Sequence, residues 1–147
     1  MGLEFFGTTA NSAVTPVSIT PPTVGTVMAW AIPNDIGGTQ RMIGIGDNFE
    51  SRWSGGDCFV DYGISGGNTV DVGTFVNGQL GHWACAYNTN TGTVLTYRDG
   101  ALNETATDRT GVTAGPLALG ERAAGSADPF EGEIYDVRIY DRILSAA

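Results

Sequence analysis

The sequence predicts an all-β domain in which antiparallel strands form a sandwich or a barrel. Short runs of β-branched and aromatic residues recur at intervals of roughly 8 to 12 residues, the spacing typical of such folds. Glycine supplies 22 of the 147 residues, and no segment has apolar residues at helical spacing over three turns. A chain of this length forms one domain that needs no cross-link to stabilise its core.

Ten strands are expected in chain order. Pro16 cannot donate to a sheet ladder, so the second strand is either an edge strand or begins at Val17. Pro21, Pro22 and Pro33 interrupt the chain where the early strands should end. The expected strands are Leu3 to Phe6, Ala13 to Ile19, Thr26 to Ile32, Arg41 to Ile45, Cys58 to Tyr62, Thr69 to Phe75, Trp83 to Tyr87, Val94 to Tyr97, Gly115 to Leu119 and Glu133 to Tyr140.

The segment 82–102 predicts a β-hairpin followed by a second tight turn. Its two strands are joined by six residues that include Asn and Gly, which tolerate positive φ, and Asp99-Gly100 marks the turn after the second strand. Leu95 and Tyr97 share one face of that strand. This alternation is typical of a sheet with one side facing water.

Four stretches of the chain resemble a known family. They are "LEFFG", "TVMAWAIP", "GHWACAY" followed by "LTYRDG", and the ending "LALGERAAGSADPFEGEIYDVRIYDRILS". Together they resemble the laminin-G-like and concanavalin A-like jelly rolls over nearly the whole chain. The resemblance implies one domain over residues 1–147, an antiparallel two-sheet jelly-roll sandwich. Six of its side chains are expected to be mostly buried, namely Trp30, Trp83, Tyr97, Phe130, Val137 and Ile139.

The spacing of the carboxylates argues against an enzyme. Glucanases similar to this family place acidic residues at alternate positions on one inner strand. Glu131 and Glu133 can share a face, but Asp136 has the opposite parity, and the segment is the terminal strand. His82, the single histidine, lies beside Trp83 without a Ser or Cys partner and fits a structural residue better than a general base. We expect a non-catalytic protein with no catalytic residues.

No cofactor is expected, although calcium is an alternative. Cys58 and Cys85 are the only cysteines, and buried free thiols are favoured over a disulfide. Two Cys and one His do not make a zinc site. Jelly rolls of the family this chain resembles often carry one calcium ion, but its five clustered oxygen-bearing residues lack the spacing of a calcium loop and fit a solvated acidic loop. These five are Asp47, Asn48, Glu50, Asp57 and Asp61.

Charge and aromatic content bear on the partners. The net charge is −9, and the positive charges are seven scattered arginines with no lysine, so nucleic acid is not expected as a partner. No apolar stretch is long enough to span a membrane. Trp53 and Tyr62 are the candidate ligand-binding residues, because either ring could stack on a sugar, and the alternative is that both are partly packed.

The sequence leads to two functional hypotheses. The first expected strand follows Met1 too closely to leave room for an export signal, and the chain starts and stops at the edges of one sandwich. We therefore expect a tailed-phage virion decoration protein or accessory head or tail protein, made in the host cytoplasm. It would bind a capsid or other virion protein through loops and strand edges, as a small homo-oligomer, with its acidity favouring an outer position. The alternative is a carbohydrate-binding, lectin-like module, extracellular if it is excised from a secreted protein.

Overall fold

Twelve strands are present in the part of the chain that the structure, a computed structural model, describes. The described residues are 3–6, 13–35, 37–46, 49–62, 69–109, 111, 113–121 and 128–145. The strands are β1 (Leu3–Phe6), β2 (Ala13–Ile19), β3 (Val24–Pro33), β4 (Gln40–Ile45), β5 (Phe49–Ser54), β6 (Asp57–Tyr62), β7 (Thr69–Thr74), β8 (Gly81–Asn88), β9 (Thr93–Arg98), β10 (Ala101–Ala106), β11 (Gly115–Leu119) and β12 (Glu131–Tyr140).

The strands form two six-stranded antiparallel sheets that pack as a sandwich. Sheet A has the order β1-β12-β3-β8-β9-β10, and sheet B has the order β2-β11-β4-β5-β6-β7. Neighbours in each sheet are often distant in sequence, as a jelly roll requires. The predicted all-β jelly-roll sandwich is therefore confirmed. The described residues include no helix that is long and apolar enough to cross a membrane.

Aromatic side chains fill the space between the two sheets. Trp53 stacks on Phe130, with ring centroids 5.1 Å apart, and meets the ring of Phe75 edge-on at 5.1 Å. From the opposite sheet, the Trp83 Nε1–H points at the Met42 sulfur at 3.3 Å. All five side chains have at most 1% of their surface exposed. Period-two alternation along the strands supplies this core, because every second side chain points inward.

The ten predicted strands are all present, and their ends lie within two residues of the expected positions. The predicted edge position of Pro16 is confirmed, because β2 lies at the edge of sheet B. The turn at Asp99-Gly100 is confirmed as well: both residues have positive φ, 50° and 82°, and they join β9 to β10 as a two-residue hairpin. Two strands, β5 and β10, were not predicted.

The predicted burial is correct for Trp83 and Phe130 and wrong for Trp30. Trp30 is 37% exposed, whereas Ala29 and Ala31 on the same strand are fully buried. On β3 the small side chains of Ala29 and Ala31 thus point inward, and Trp30 between them points outward. Hydrophobicity alone assigned Trp30 to the wrong face of the sheet. Because side chains alternate between the two faces, an error of one residue assigns every side chain of the strand to the wrong face.

The other three burial predictions concern β9 and β12, where two side chains are partly buried and one is exposed. Tyr97 is only half-buried, because its neighbour Thr96 takes the inward position on β9. On β12 a bulge at Asp136, where φ is 48°, shifts the register after Tyr135. Beyond the bulge, Val137 is half-buried against the core and Ile139 is 37% exposed. The prediction that Ile139 is buried is wrong.

Side chains close one edge of the sandwich, where β7 of sheet B lies beside β9 and β10 of sheet A. The Asp71 N–H donates to Glu104 Oε2 at 2.5 Å. The Asp71 carbonyl accepts hydrogen bonds from Asn103 Nδ2, at 3.0 Å, and from the Thr96 hydroxyl. Backbone groups on an open edge strand invite pairing with another chain. At Asp71, side chains of sheet A instead satisfy the backbone N–H and carbonyl at the edge of sheet B.

We expect Thr96→Val to lower the free energy of unfolding by about 0.5 to 1.5 kcal/mol, because it keeps the volume of a fully buried side chain but removes its hydrogen bond. Urea unfolding followed by circular dichroism measures the loss. Thr105→Val, at an exposed position on β10, is the control and should stay close to the wild type. An unchanged Thr96→Val would mean that the bond across the edge contributes nothing.

Candidate functional site

Four charged side chains lie together on the outer face of sheet B. In the ladder of β4, β5 and β6, Arg41 is paired with Arg52, and Glu50 is paired with Asp61. Their sequence neighbours on β5, Ser51 and Trp53, point into the core, so alternation turns the charged residues away from it. We call the set of Arg41, Glu50, Arg52 and Asp61 the charged face.

Each arginine of the charged face is paired with a carboxylate. Arg41 Nε donates to Glu50 Oε2 at 2.7 Å, and Arg41 also forms an ion pair with Asp128. Arg52 Nε donates to Asp61 Oδ2 at 2.5 Å, and the Thr69 hydroxyl donates to Asp61 Oδ1 at 2.7 Å. Hydrogen bonds between charged groups are the stronger and better oriented ones. The charged face therefore presents donors and acceptors in fixed positions.

The charged face is recessed. The side chains of Arg41 and Glu50 are 14% and 7% exposed, and those of Arg52 and Asp61 are 21% and 31% exposed. Charged residues on a sheet face that meets water are normally much more exposed. Withdrawing ion pairs from water costs desolvation energy that their attraction often fails to repay. Fold stability alone is thus a weak explanation for this arrangement.

An aromatic ring borders the charged face. Phe59 pairs with Arg52 in the β5–β6 ladder, and the guanidinium carbon of Arg52 lies 5.4 Å from the centre of the Phe59 ring. Phe59 is half-buried. The recess therefore combines oriented charged groups with an apolar surface, the composition typical of small-ligand sites.

The predicted ligand-binding residues Trp53 and Tyr62 point the other way. Both are fully buried, and Tyr62 packs against Tyr87 with ring centroids 5.2 Å apart. Burial raises the pKa of Tyr62 well above its ordinary value. This corrects the prediction, because neither ring can reach a ligand at the surface. Arg52 and Asp61, each one position earlier on the same two strands, are the outward residues.

The residues considered for calcium are spread over strands. Asp47 and Asn48 lie outside the described residues, and the other three belong to β5 and β6 and not to an acidic loop. Asp57 accepts a hydrogen bond from the Thr74 hydroxyl at 2.7 Å. Among the described residues, no three His, Cys, Asp or Glu side chains are grouped to hold a metal ion. The expected absence of a cofactor and the calcium alternative both stay untested by these contacts.

The carboxylates considered for catalysis lie on β12, which is terminal in sequence but has neighbours on both sides in sheet A. The Tyr135 hydroxyl donates to Glu133, and Arg138 Nε donates to Asp136 Oδ1 at 2.8 Å. Glu131 is exposed. These contacts engage two of the three carboxylates with neighbours on their own strand. The absence of catalysis remains an expectation.

Both cysteines are buried free thiols, as the sequence favoured. Cys58 lies on β6 in sheet B, and Cys85 lies on β8 in sheet A. Burial raises the pKa of each thiol well above the ordinary value for cysteine. Protonated and covered thiols are poor nucleophiles and poor metal ligands, so we assign them to the core.

Many solved structures share this fold, among them the following three. The native heptameric SAP-like pentraxin of Limulus polyphemus matches with a TM-score of 0.75 and 14% identity, over 97% of this chain and 76% of its own. The CBM40 of the Ruminococcus gnavus IT-sialidase, bound to α2,3-sialyllactose, matches with a TM-score of 0.72 and 17% identity, over 98% of this chain and 91% of its own. Domain 4 of an arabinanase from Geobacillus stearothermophilus, in complex with arabinotriose, matches with a TM-score of 0.64 and 22% identity, over 87% and 65%.

At these identities the structural likeness establishes the fold alone. No curated protein sequence matches the chain. The family model described as the concanavalin A-like lectin/glucanases superfamily matches residues 6–147, which is nearly the whole chain. The chain therefore belongs to the concanavalin A-like lectin/glucanase superfamily.

Proposed function

We propose that this protein is a non-catalytic glycan-binding module and that its ligand lies on the charged face. One observation carries the proposal: two arginine–carboxylate pairs are held at less than a third exposure on the outer face of sheet B, beside the Phe59 ring. Sugar hydroxyls both donate and accept hydrogen bonds. A recess that offers fixed guanidinium donors and carboxylate acceptors suits them, because charge-assisted hydrogen bonds fix orientation.

The family and the fold support the class of ligand. The chain belongs to a lectin and glucanase superfamily, and two proteins that share its fold hold sialyllactose and arabinotriose. Their sequences are too different for the ligands to be transferred. We therefore propose only glycans as a class of ligand, bound by the charged face of this chain.

A polar site of this kind gives modest affinity for one glycan, because each sugar hydroxyl exchanges water for protein contacts. Several copies that engage one polysaccharide raise the overall affinity without new contacts. A small homo-oligomer would serve this purpose, so we include that assembly in the proposal.

A glycan array tests the proposal. We expect the wild-type protein to bind a defined set of glycans and Arg52→Met to lose roughly tenfold in affinity, since it removes the guanidinium and keeps the apolar stem. Unfolding should change by less than about 1 kcal/mol, because a partly exposed ion pair contributes little. Arg142→Met is the control, since the Arg142 guanidinium lies 5.5 Å from the centre of the Tyr140 ring on sheet A and belongs to neither arginine–carboxylate pair. Equal binding by Arg52→Met and the wild type, or no binding at all, would contradict the proposal.

Attachment to a virion stays a prediction that rests on the sequence. It would place the protein on a particle assembled in a host cytoplasm, bound to a capsid or other virion protein, and an extracellular location is the alternative. Mass spectrometry of purified phage particles, with rebinding of recombinant protein to stripped particles, tests it. Absence from the particles together with co-purification with a polysaccharide would favour the glycan-binding role alone.

A further inference from the structure

An aromatic row crosses the outer face of sheet A, on the opposite side of the sandwich from the charged face. Tyr135, Trp30 and His82 are successive partners across β12, β3 and β8. The rings of Trp30 and His82 are 4.9 Å apart and inclined by 50°. Trp30 keeps more than a third of its surface exposed. Tryptophan is enriched at contact surfaces, because its indole offers a large apolar face together with one polar N–H.

An apolar groove of about 190 Å³ adjoins the row. The tail after β12 forms one wall of it. The Thr26 hydroxyl fixes this tail by donating to the Arg142 carbonyl at 2.9 Å and accepting the Leu144 N–H at 3.1 Å. The residues that line the groove are Thr26, Met28, His82, Ala84, Tyr97, Gly100, Leu144 and Ser145. The groove is therefore built from both sheet and tail.

Two carboxylates flank this surface. Asp99 Oδ1 accepts the His82 backbone N–H at 2.8 Å, and Asp136 lies on the opposite side, at the bulge of β12. Both are exposed, and the nearby arginines are each paired with one of them, Arg98 with Asp99 and Arg138 with Asp136. The surface thus has an apolar floor and a rim of hydrogen-bond acceptors.

His82 forms part of the wall of this groove. Desolvation lowers its pKa below the ordinary value and outweighs the charge of Asp99, which raises it. Its Nε2 is buried with no hydrogen-bond partner among the described residues. The desolvation of this ring agrees with its place in the wall of an apolar groove.

We propose that this row and the adjoining groove, the aromatic face, form a second binding site that takes one neutral sugar ring. A pyranose presents an apolar C–H face that packs on an indole ring, and its hydroxyls donate to carboxylates at the rim. Acidic sugars are disfavoured as ligands, because the two nearby arginines already form ion pairs with Asp99 and Asp136. The groove, at about 190 Å³, suits one small ligand, whereas a protein partner would need a contact of about 800 Å². The site shares no residue with the charged face, so it goes beyond the proposed function.

Fluorescence quenching reads this site selectively. Of the three tryptophans, Trp53 and Trp83 are fully buried and Trp30 is exposed, so acrylamide quenches Trp30 first. The probes are millimolar methyl glycosides of glucose, galactose, mannose, xylose and N-acetylglucosamine. We expect at least one of them to reduce the quenching of Trp30 roughly twofold by covering its ring. Arg52→Met should show the same protection.

Ligand-observed NMR with the protecting glycoside completes the test. Trp30→Ala should lose roughly tenfold in affinity and Trp30→Phe should lose less, because it keeps a ring. Val76→Ala, at an exposed apolar position outside the groove, is the control and should bind like the wild type. Circular dichroism verifies that each variant is folded.

Three results would overturn the second site. One is a lack of protection by every glycoside, and another is protection by tetramethylammonium chloride alone, which would assign a cation site. The third is loss of protection in Arg52→Met, which would mean that the two faces are not independent. The proposed function at the charged face survives the first two results, so the two proposals can fail separately.

Discussion

Replacing Trp83 by alanine is expected to lower the free energy of unfolding by about 3 to 5 kcal/mol. Trp83 lies on β8, a central strand of sheet A, and is fully buried. Its indole N–H points at the Met42 sulfur at 3.3 Å, so the side chain spans the gap between the sheets. Alanine leaves a cavity that the rigid strands cannot close. Guanidinium unfolding followed by far-UV circular dichroism measures the loss.

Trp30→Ala is the matched control for this experiment. It removes the same side chain from the neighbouring strand of the same sheet, but from the outer face, where Trp30 is 37% exposed. We expect it to cost less than about 1 kcal/mol. If Trp83→Ala also costs less than about 1 kcal/mol, Trp83 does not hold the two sheets together and the assignment of inner and outer faces is wrong.

Gly132→Ala is expected to cost about 2 to 5 kcal/mol. Gly132 has a φ of 146°, where side chains are strained, and an added Cβ would lie 2.2 Å from the Ile32 carbonyl oxygen and 2.9 Å from the Phe130 ring. Backbone strain and overpacking each cost about 1 to 3 kcal/mol. Thermal or urea unfolding of the purified variant measures the combined loss.

Gly38→Ala is the control for Gly132, because an added Cβ at Gly38 meets no atom within 4 Å. It should be neutral or slightly stabilising, since alanine reduces the freedom of the unfolded chain. If Gly132→Ala unfolds within about 0.5 kcal/mol of the wild type, β12 does not approach β3 as closely as the structure has it.

The strand pattern was predictable from the sequence except where polar side chains interrupt it. Strand β5 reads "FESRWS", and its inward residues are Phe49, Ser51 and Trp53. The buried Ser51 breaks the apolar alternation, and its hydroxyl accepts the Ile43 N–H at 3.1 Å. A polar residue whose partner lies on another strand cannot be recognised from local periodicity. Strand β10 was missed because most of its residues face water at the edge of sheet A.

The candidate site was out of reach for a related reason. Without β5, nothing assigned a face to Arg52, and the pairing of Arg41 with Glu50 depends on the register between β4 and β5. Aromatic content pointed to Trp53, on the correct strand but the wrong side of it. The register between strands, and the face on which each side chain lies, depend on pairing between distant parts of the chain. Composition and local spacing therefore do not predict them.

Backbone amide NMR during titration with a glycan selected on the array tests the glycan-binding account most directly. We expect the largest shift changes to cluster on β4, β5 and β6 around Arg41, Arg52 and Asp61. Arg52→Met should need roughly ten times more glycan to produce them, and Arg142→Met should behave like the wild type. Shift changes confined to sheet A, or spread evenly over the domain, would contradict the assignment of the ligand to the charged face.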